Sequence, residues 1–353
     1  MITPLENLRI LLEGGSPDWI PFSIDVGACA GLTDPIQREF IRRTGATDPA
    51  EHFDTDYRCF SLRCRFGGED PMSMHDSLPP GTICDEWGIG HYGGQTEATV
   101  DKQFPPLAQA VSLHDVEALP SPIVERGVDL SPIHDFHRRG YPAFAYAGSI
   151  YEWSWWLGGM ELFLMDLAVN PVLAEAVLHK VEEHTTNLAL ASAAAGADVL
   201  CFYDDAGTQR GMQISPEMWR RYIKPAWHRV LEAVRAEHPR VCFFLHSCGR
   251  IDPIIPDIIE LGFHVLHPVQ PECMDYPSIW RQYGKHVVLA ACISAQRVLP
   301  FGSPEDVGRE VERLKRVAGE SRRAILLPSN RVQPETPWEN IMAFVDACRG
   351  TRR

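Results

Sequence analysis

The sequence predicts an α/β protein built as one (β/α)8 TIM barrel domain. Two observations carry that prediction. From Tyr141 onward a short apolar run, a polar turn and a helical period repeat to the end of the chain, the pattern of parallel strands with covering helices. No glycine-rich phosphate loop follows the first strand, which leaves the doubly wound dinucleotide-binding alternative without support. The domain is expected to span 1–353, with an irregular amino-terminal portion over about 1–140 where Pro, Gly and His are frequent and apolar runs are short.

In chain order, a helix is expected over Pro4–Glu13, a strand over Ile20–Ile24 and a helix over Asp34–Arg43. The stretch Asp85-Glu86-Trp87-Gly88-Ile89-Gly90 reads as a loop or hairpin. Strands follow at Ala143–Ala147, Val199–Tyr203, Val241–Leu245, Val265–Leu266, Val287–Ala291 and Ala324–Leu327. Helices alternate with them at Met160–Asp166, Pro171–Ala195, Pro216–Arg235, Pro253–Leu261, Tyr276–Tyr283, Pro304–Val317 and Pro337–Cys348. Several open on Ser-Pro, Asn-Pro, Asp-Pro or Thr-Pro, where a capping side chain precedes a proline whose missing N–H costs nothing in the first turn. Six βα units and the strand near Ile20 leave one more strand to find before the barrel closes.

The charge balance, 33 Lys+Arg against 47 Asp+Glu for a net −14, argues against a nucleic-acid backbone or an anionic membrane surface as partner. No apolar run approaches the ~20 residues needed to span a bilayer. The start Met1-Ile2-Thr3-Pro4-Leu5-Glu6 lacks the basic and apolar regions of a secretory signal, so a cytoplasmic location is expected. The ten cysteines are scattered through a chain large enough to build its own core, which predicts free thiols, one or two of them binding metal.

In a parallel barrel the chemistry gathers where strands end, and those positions are rich here. Tyr203-Asp204-Asp205 follow one strand and His246-Ser247-Cys248-Gly249 the next. His267, Gln270 and Glu272 follow the third, then Cys292 and Ser294, then Ser329-Asn330-Arg331. In His246-x-Cys248 the two side chains point the same way, so an imidazole nitrogen and a thiolate can share a zinc ion. Cys292, Cys273, His267, Asp204 and Asp205 are the available third ligands. Of Asp204 and Asp205, one is expected to face the mouth as proton carrier or ligand while the other braces the loop. Trp153, Trp155 and Trp156 beside Glu152 suit either an aromatic pocket wall or core, and Glu86 and Trp87 stand in an acidic loop that suits either a binding edge or a solvated turn. His179, His184, His228 and His238 fall in helical stretches and are expected at the surface. No Ser/His/Asp order, G-x-S-x-G elbow or C-x-x-C pair is present.

Six ordered motifs then carry a resemblance: Asp204-Asp205-Ala206-Gly207-Thr208-Gln209, Ile214-Ser215-Pro216-Glu217-Met218-Trp219, Ile223-Lys224-Pro225, His246-Ser247-Cys248-Gly249, Pro268-Val269-Gln270-Pro271-Glu272 and Gln333-Pro334-Glu335-Thr336-Pro337-Trp338-Glu339-Asn340. Together they resemble the uroporphyrinogen decarboxylase superfamily, on its methyltransferase-related side. The resemblance implies a (β/α)8 barrel, an enzyme, and one of two chemistries. The decarboxylases are metal-free and hold an acidic tetrapyrrole with arginines of an amino-terminal R-Q-A-G-R segment. That region reads Phe22-Ser23-Ile24-Asp25-Val26-Gly27 here, without the arginines.

The corrinoid-linked methyltransferases hold zinc with H-x-C and a later cysteine, and take a methyl group from methylcobalamin onto a substrate thiolate. His246 and Cys248 match the first two ligands. The later cysteine's position is Asn330, so Cys292, Cys273 or an acidic side chain would complete the set. The resemblance thus implies zinc, a corrinoid carried on a partner protein, a small-molecule substrate and a homodimer. It also implies Asp204 or Asp205 as proton carrier and Tyr203, Gln209, Gln270, Asn330, Arg331, Glu86, Trp87 and Trp153 as substrate-binding residues. A tetrapyrrole carboxy-lyase, with Arg331 or Arg210 holding its substrate, and a non-catalytic tetrapyrrole- or corrinoid-binding protein are the alternatives.

Overall fold

A computed structural model describes residues 2–93 and 102–350. Seven parallel strands form one sheet in sequential order: β1 (Arg58–Phe60), β2 (Ala143–Gly148), β3 (Val199–Tyr203), β4 (Cys242–His246), β5 (Val265–His267), β6 (Val288–Ile293) and β7 (Ala324–Pro328). The expected strand at Ile20–Ile24 becomes a short stave between the sheet edges. Phe22 bridges Leu326 of β7, with Ser23 N–H donating to the Leu326 carbonyl (3.1 Å) and Leu326 N–H to that of Pro21 (2.8 Å). On its other side Asp56 N–H donates to the Phe22 carbonyl (3.0 Å) just before β1. The ring of staves is a TIM-like barrel.

The strand missing from the sequence reading is β1, paired with β2 from Arg58↔Ala143 to Phe60↔Ala145. It has no apolar run to reveal it: its first residue is a buried arginine, satisfied by Glu51 (2.8 Å) and by the Thr55 carbonyl (2.8 Å). The covering helices used below are α1 (Tyr151–Gly158), α2 (Met160–Val169), α3 (Pro171–Ala194) and α4 (Lys224–Glu237). The helix expected over Pro216–Arg235 is divided. A short turn at Pro216–Met218 leads into a π-helical turn, Trp219–Ile223, before α4 begins. Pro225 supplies the cause, since it lacks an N–H and its ring cannot lie against the carbonyl of Arg221.

Two apolar layers hold the architecture. Phe144, Phe244, Val265, Ala290, Cys292 and Leu327 fill the barrel, while the outer faces of the strands pack on the helices. These buried rows are what align the strand ends at one face. Among the described residues no helix is long and apolar enough to cross a membrane.

The Asp85–Gly90 stretch is the tip of a hairpin between short strands Ile83–Cys84 and Gly90–Tyr92. Asp85 Oδ1 closes it by accepting the N–H groups of Trp87 and Ile89, both at 2.9 Å. Trp87 then plugs into the core against Trp153 and His184. That corrects two expectations. Trp87 and Trp153 are 1% and 4% exposed, so they dock the hairpin and α1 onto α3 instead of lining a binding pocket. His184, expected at the surface, is buried beneath them, because α3 is covered along that side.

Candidate metal centre

The two neighbouring aspartates after β3 divide their roles. Asp204 turns inward, where its Oδ1 accepts from Ser149 Oγ (2.8 Å), Ile150 N–H (3.2 Å) and Glu152 N–H (2.9 Å), and its Oδ2 from Trp227 Nε1 (2.9 Å). With four donors on its carboxylate, it pins the start of α1 to the barrel. The carboxylate therefore braces the loop, the part expected of one member of the pair. Asp205 turns outward, and its Oδ1 accepts Cys248 N–H (2.7 Å) and lies 3.5 Å from His246 Nε2. Burial raises the Asp205 pKa to about 6.

His246 and Cys248 meet as their spacing predicts, with Sγ 3.3 Å from Nε2. A second histidine sets the imidazole's tautomer. His267 on the neighbouring strand β5 has Nε2 2.9 Å from the carbonyl of Pro328, which can only accept, so the proton sits on Nε2 and His267 Nδ1 is bare. That atom is 2.8 Å from His246 Nδ1, which must be the donor. His246 Nε2 is consequently left with a free lone pair directed at Cys248 and Asp205. Burial keeps both rings neutral: it lowers the His246 pKa to about 4 and that of His267 further, with the adjacent His246 adding to the second effect.

Oδ1 of Asp205, Nε2 of His246 and Sγ of Cys248 lie within 4.8 Å of one another. Ligand atoms ~2.0–2.3 Å from a tetrahedral zinc ion stand roughly 3.3–3.8 Å apart, and the His246–Cys248 and His246–Asp205 separations of 3.3 and 3.5 Å match that spacing. The donor set also fits chemically. Burial and the nearby Asp205 push the Cys248 thiol well above its usual range, so a thiolate here calls for a compensating cation. The third member of the cluster is an acid from the preceding βα loop. Cys292 does not join the cluster: its Sγ lies against the Ala290 carbonyl (3.4 Å) inside the packed barrel, because its alternation on β6 directs it inward below the mouth. Asn330 comes to the site and donates from Nδ2 to Cys248 Sγ (3.4 Å).

The other expected residues divide between support and rim. Tyr203 donates its hydroxyl to the Val26 carbonyl (2.6 Å), accepts Cys29 N–H (2.9 Å) and stacks on Tyr146, so it ties down the amino-terminal loop beside His246. Gln270 Oε1 accepts Gly249 N–H (2.7 Å) and holds the turn after Cys248. Gln209 reaches across the mouth to Gln296 (2.9 Å). Arg331 is spent on backbone, donating to the carbonyls of Ala30 (3.2 Å) and Leu32 (2.7 Å). Glu86 is half-buried in the hairpin tip, with its pKa raised by burial.

Sequence reasoning passed over His267 as a positioning group and noted Glu152 only as a neighbour of the tryptophans. The Glu152 carboxylate accepts the Asp205 N–H, and burial plus the two aspartates raise its pKa well above the usual range. Glu152 lies in the first turn of α1, a helix not expected from the sequence, with Asp204 accepting its N–H. A cavity of about 240 Å³ opens on the cluster, lined in part by Thr208, Gln209, Gln270, Gln296 and Asn330. A wider one, about 770 Å³, lies at the opposite face among the strand starts near Asp198, Cys242 and His264, remote from the converging ligands.

With this geometry in view, the chain compares clearly with known proteins. Residues 145–351 match the family model of uroporphyrinogen decarboxylase (URO-D), and the chain belongs to that family. It is 28% identical over 175 residues to a methylcobamide:CoM methyltransferase, MtaA, of Methanosarcina barkeri, covering 50% of this chain and 48% of that one. It is 23% identical over 206 residues to a methylated-thiol–coenzyme M methyltransferase of Methanosarcina mazei, covering 55% and 49%. A uroporphyrinogen decarboxylase of Thermus thermophilus is 26% identical over 216 residues, covering 58% of each chain. The matches thus span about half the length of these curated relatives. A solved methyltransferase structure from Methanosarcina mazei superposes with TM-score 0.70 at 17% identity over 100% of both chains, which establishes the shared fold.

Proposed function

We propose that the chain is a zinc-dependent methyltransferase that moves a methyl group between a methylated small molecule or thiol and a corrinoid carried on a partner protein. The observation that carries this reading is the presentation of His246 Nε2, with its tautomer set by His267, beside Cys248 Sγ and Asp205 Oδ1. Two of the relatives are named as methyltransferases acting with coenzyme M, one of them on methylcobamide, which supports the same chemistry here.

His246, Cys248 and Asp205 would hold the metal. Zinc, when bound, lowers the pKa of a substrate thiol so that the thiolate is available near neutral pH. The remaining work falls to the chain. Gln270 fixes the turn that carries Cys248, and Asn330 Nδ2 tempers the charge on Sγ. Glu152 accepts the Asp205 N–H and holds that residue's backbone in place behind the cluster. The cavity's lining holds no lysine or arginine to grip an acidic tetrapyrrole, which counts against the carboxy-lyase alternative. The Asp205 carboxylate beside His246 and Cys248 counts against a non-catalytic binder.

The reading is tested by following demethylation of methylcobalamin in the presence of a small thiol. Zinc-loaded wild type is expected to accelerate it, and His246→Ala and Cys248→Ala are expected to leave only the background rate. A wild-type rate indistinguishable from background with every methyl donor and thiol tried would oppose it.

A further inference from the structure

The cavity beside the cluster constrains what it can receive, an inference that rests on the methyl-transfer reading above. Four side-chain amides, Gln209, Gln270, Gln296 and Asn330, meet there with the hydroxyls of Thr208 and Ser329. Among the described residues no lysine or arginine lines it. Four arginines stand next to lining residues in sequence: Arg331 and Arg250 are engaged elsewhere, Arg297 is exposed and lines a separate cavity, and Arg210 is exposed. Arg331 donates to the Ala30 and Leu32 carbonyls and stands 3.6 Å from Asp34, and Arg250 pairs with Asp252 at 2.8 Å. Arg210 lies on the exposed tip of the loop after β3 and is absent from the lining.

The ionisable side chains that do face the cavity, Asp205 and Cys248, are both acids, and Glu152 stands behind Asp205. A carboxylate, sulfonate or phosphate entering here would shed water and find no lysine or arginine among the lining residues to replace it. An amide or hydroxyl finds both donors and acceptors on the amide rim. The volume of about 240 Å³ is below the ~300–1,000 Å³ typical of sites for drug-sized ligands, so the occupant is small. We infer that the methyl donor or acceptor of this site is a small uncharged molecule bearing amide or hydroxyl groups, and that anionic thiols of the same size bind at least tenfold more weakly.

Two isosteric probes separate charge from shape: 3-mercaptopropionamide and 3-mercaptopropionate, titrated calorimetrically into the zinc-loaded full chain, each corrected for its own thiol pKa. Metal content is measured on the same sample, so that failure of the metal site is seen apart from failure of the charge preference. The amide is expected to bind at least tenfold more tightly, and Gln296→Arg is expected to narrow or reverse the ratio. Equal or tighter binding of the carboxylate would overturn the inference, and loss of that binding in Arg331→Ala would assign the anion to Arg331 instead. Should the chain hold no zinc, the same comparison is read from thermal shifts with the metal-free protein. Stabilisation by the amide alone supports the inference there, and binding of the carboxylate or of neither compound overturns it.

Discussion

His246 Nδ1 lies 2.8 Å from His267 Nδ1, and the other nitrogen of His267 is spent on the Pro328 carbonyl at 2.9 Å. A carbonyl at the end of β7 thereby decides which nitrogen of a β4 histidine carries a lone pair. Replacing His267 by Phe keeps the volume and stacking but deletes the acceptor. Zinc affinity is expected to fall about 10- to 100-fold, the usual cost of losing such an orienting partner, as read by competition with a chromophoric chelator. Unchanged affinity would mean that His246 finds its tautomer without help.

The neighbouring aspartates should separate cleanly on mutation. Asp204→Ala leaves the donors of Ser149, Ile150, Glu152 and Trp227 without their acceptor, so a loss of about 3–5 kcal/mol in unfolding free energy is expected. Asp205→Asn keeps an oxygen for the Cys248 N–H and is expected to weaken zinc binding with much less effect on stability. Denaturant titration with metal analysis of both variants checks the contrast, and equal destabilisation would contradict it.

Much of this arrangement was legible in the sequence, and the boundary is physical. Long strands with apolar runs, such as Val199–Tyr203, and helices opened by a capped proline could be placed because one face of each is buried at a fixed period. The H-x-C pair was readable because two residues apart on a strand end means one direction. Strand β1 was hidden by the buried Arg58, whose ion pair with Glu51 depends on the folded chain. His267 was visible as a strand-end residue but its role was not, since that role depends on parallel register with His246 and on the carbonyl of Pro328. Trp87 gave no local hint that its hairpin folds back onto α3.

That packing predicts a specific loss. Trp87 is buried edge-on to Trp153 and His184, with ring centroids 5.7 and 5.0 Å away. Trp87→Ala should cost about 3–5 kcal/mol of stability while leaving zinc stoichiometry intact. A variant of normal stability with impaired substrate binding would restore the pocket role the sequence suggested.

His184 also gives stability a pH dependence. Burial lowers its pKa from 6.5 to about 4, so between those values the unfolded chain binds a proton that the folded chain refuses. Stability therefore rises with pH through this window and falls on acidification from about pH 6.5 toward pH 4, by up to ~3 kcal/mol from this group. Denaturant titrations across that range should show a shallower fall for His184→Phe than for wild type. Parallel profiles would show that the proton is taken up elsewhere.

The metal content of protein purified without chelator, measured by plasma mass spectrometry for wild type, Cys248→Ser and Asp205→Asn, bears most directly on the three-ligand site. About one zinc per chain in wild type and far less in both variants is the expected result. A wild type without zinc, or an Asp205→Asn variant that keeps a full complement while Cys292→Ser loses it, would contradict the ligand set of His246, Cys248 and Asp205.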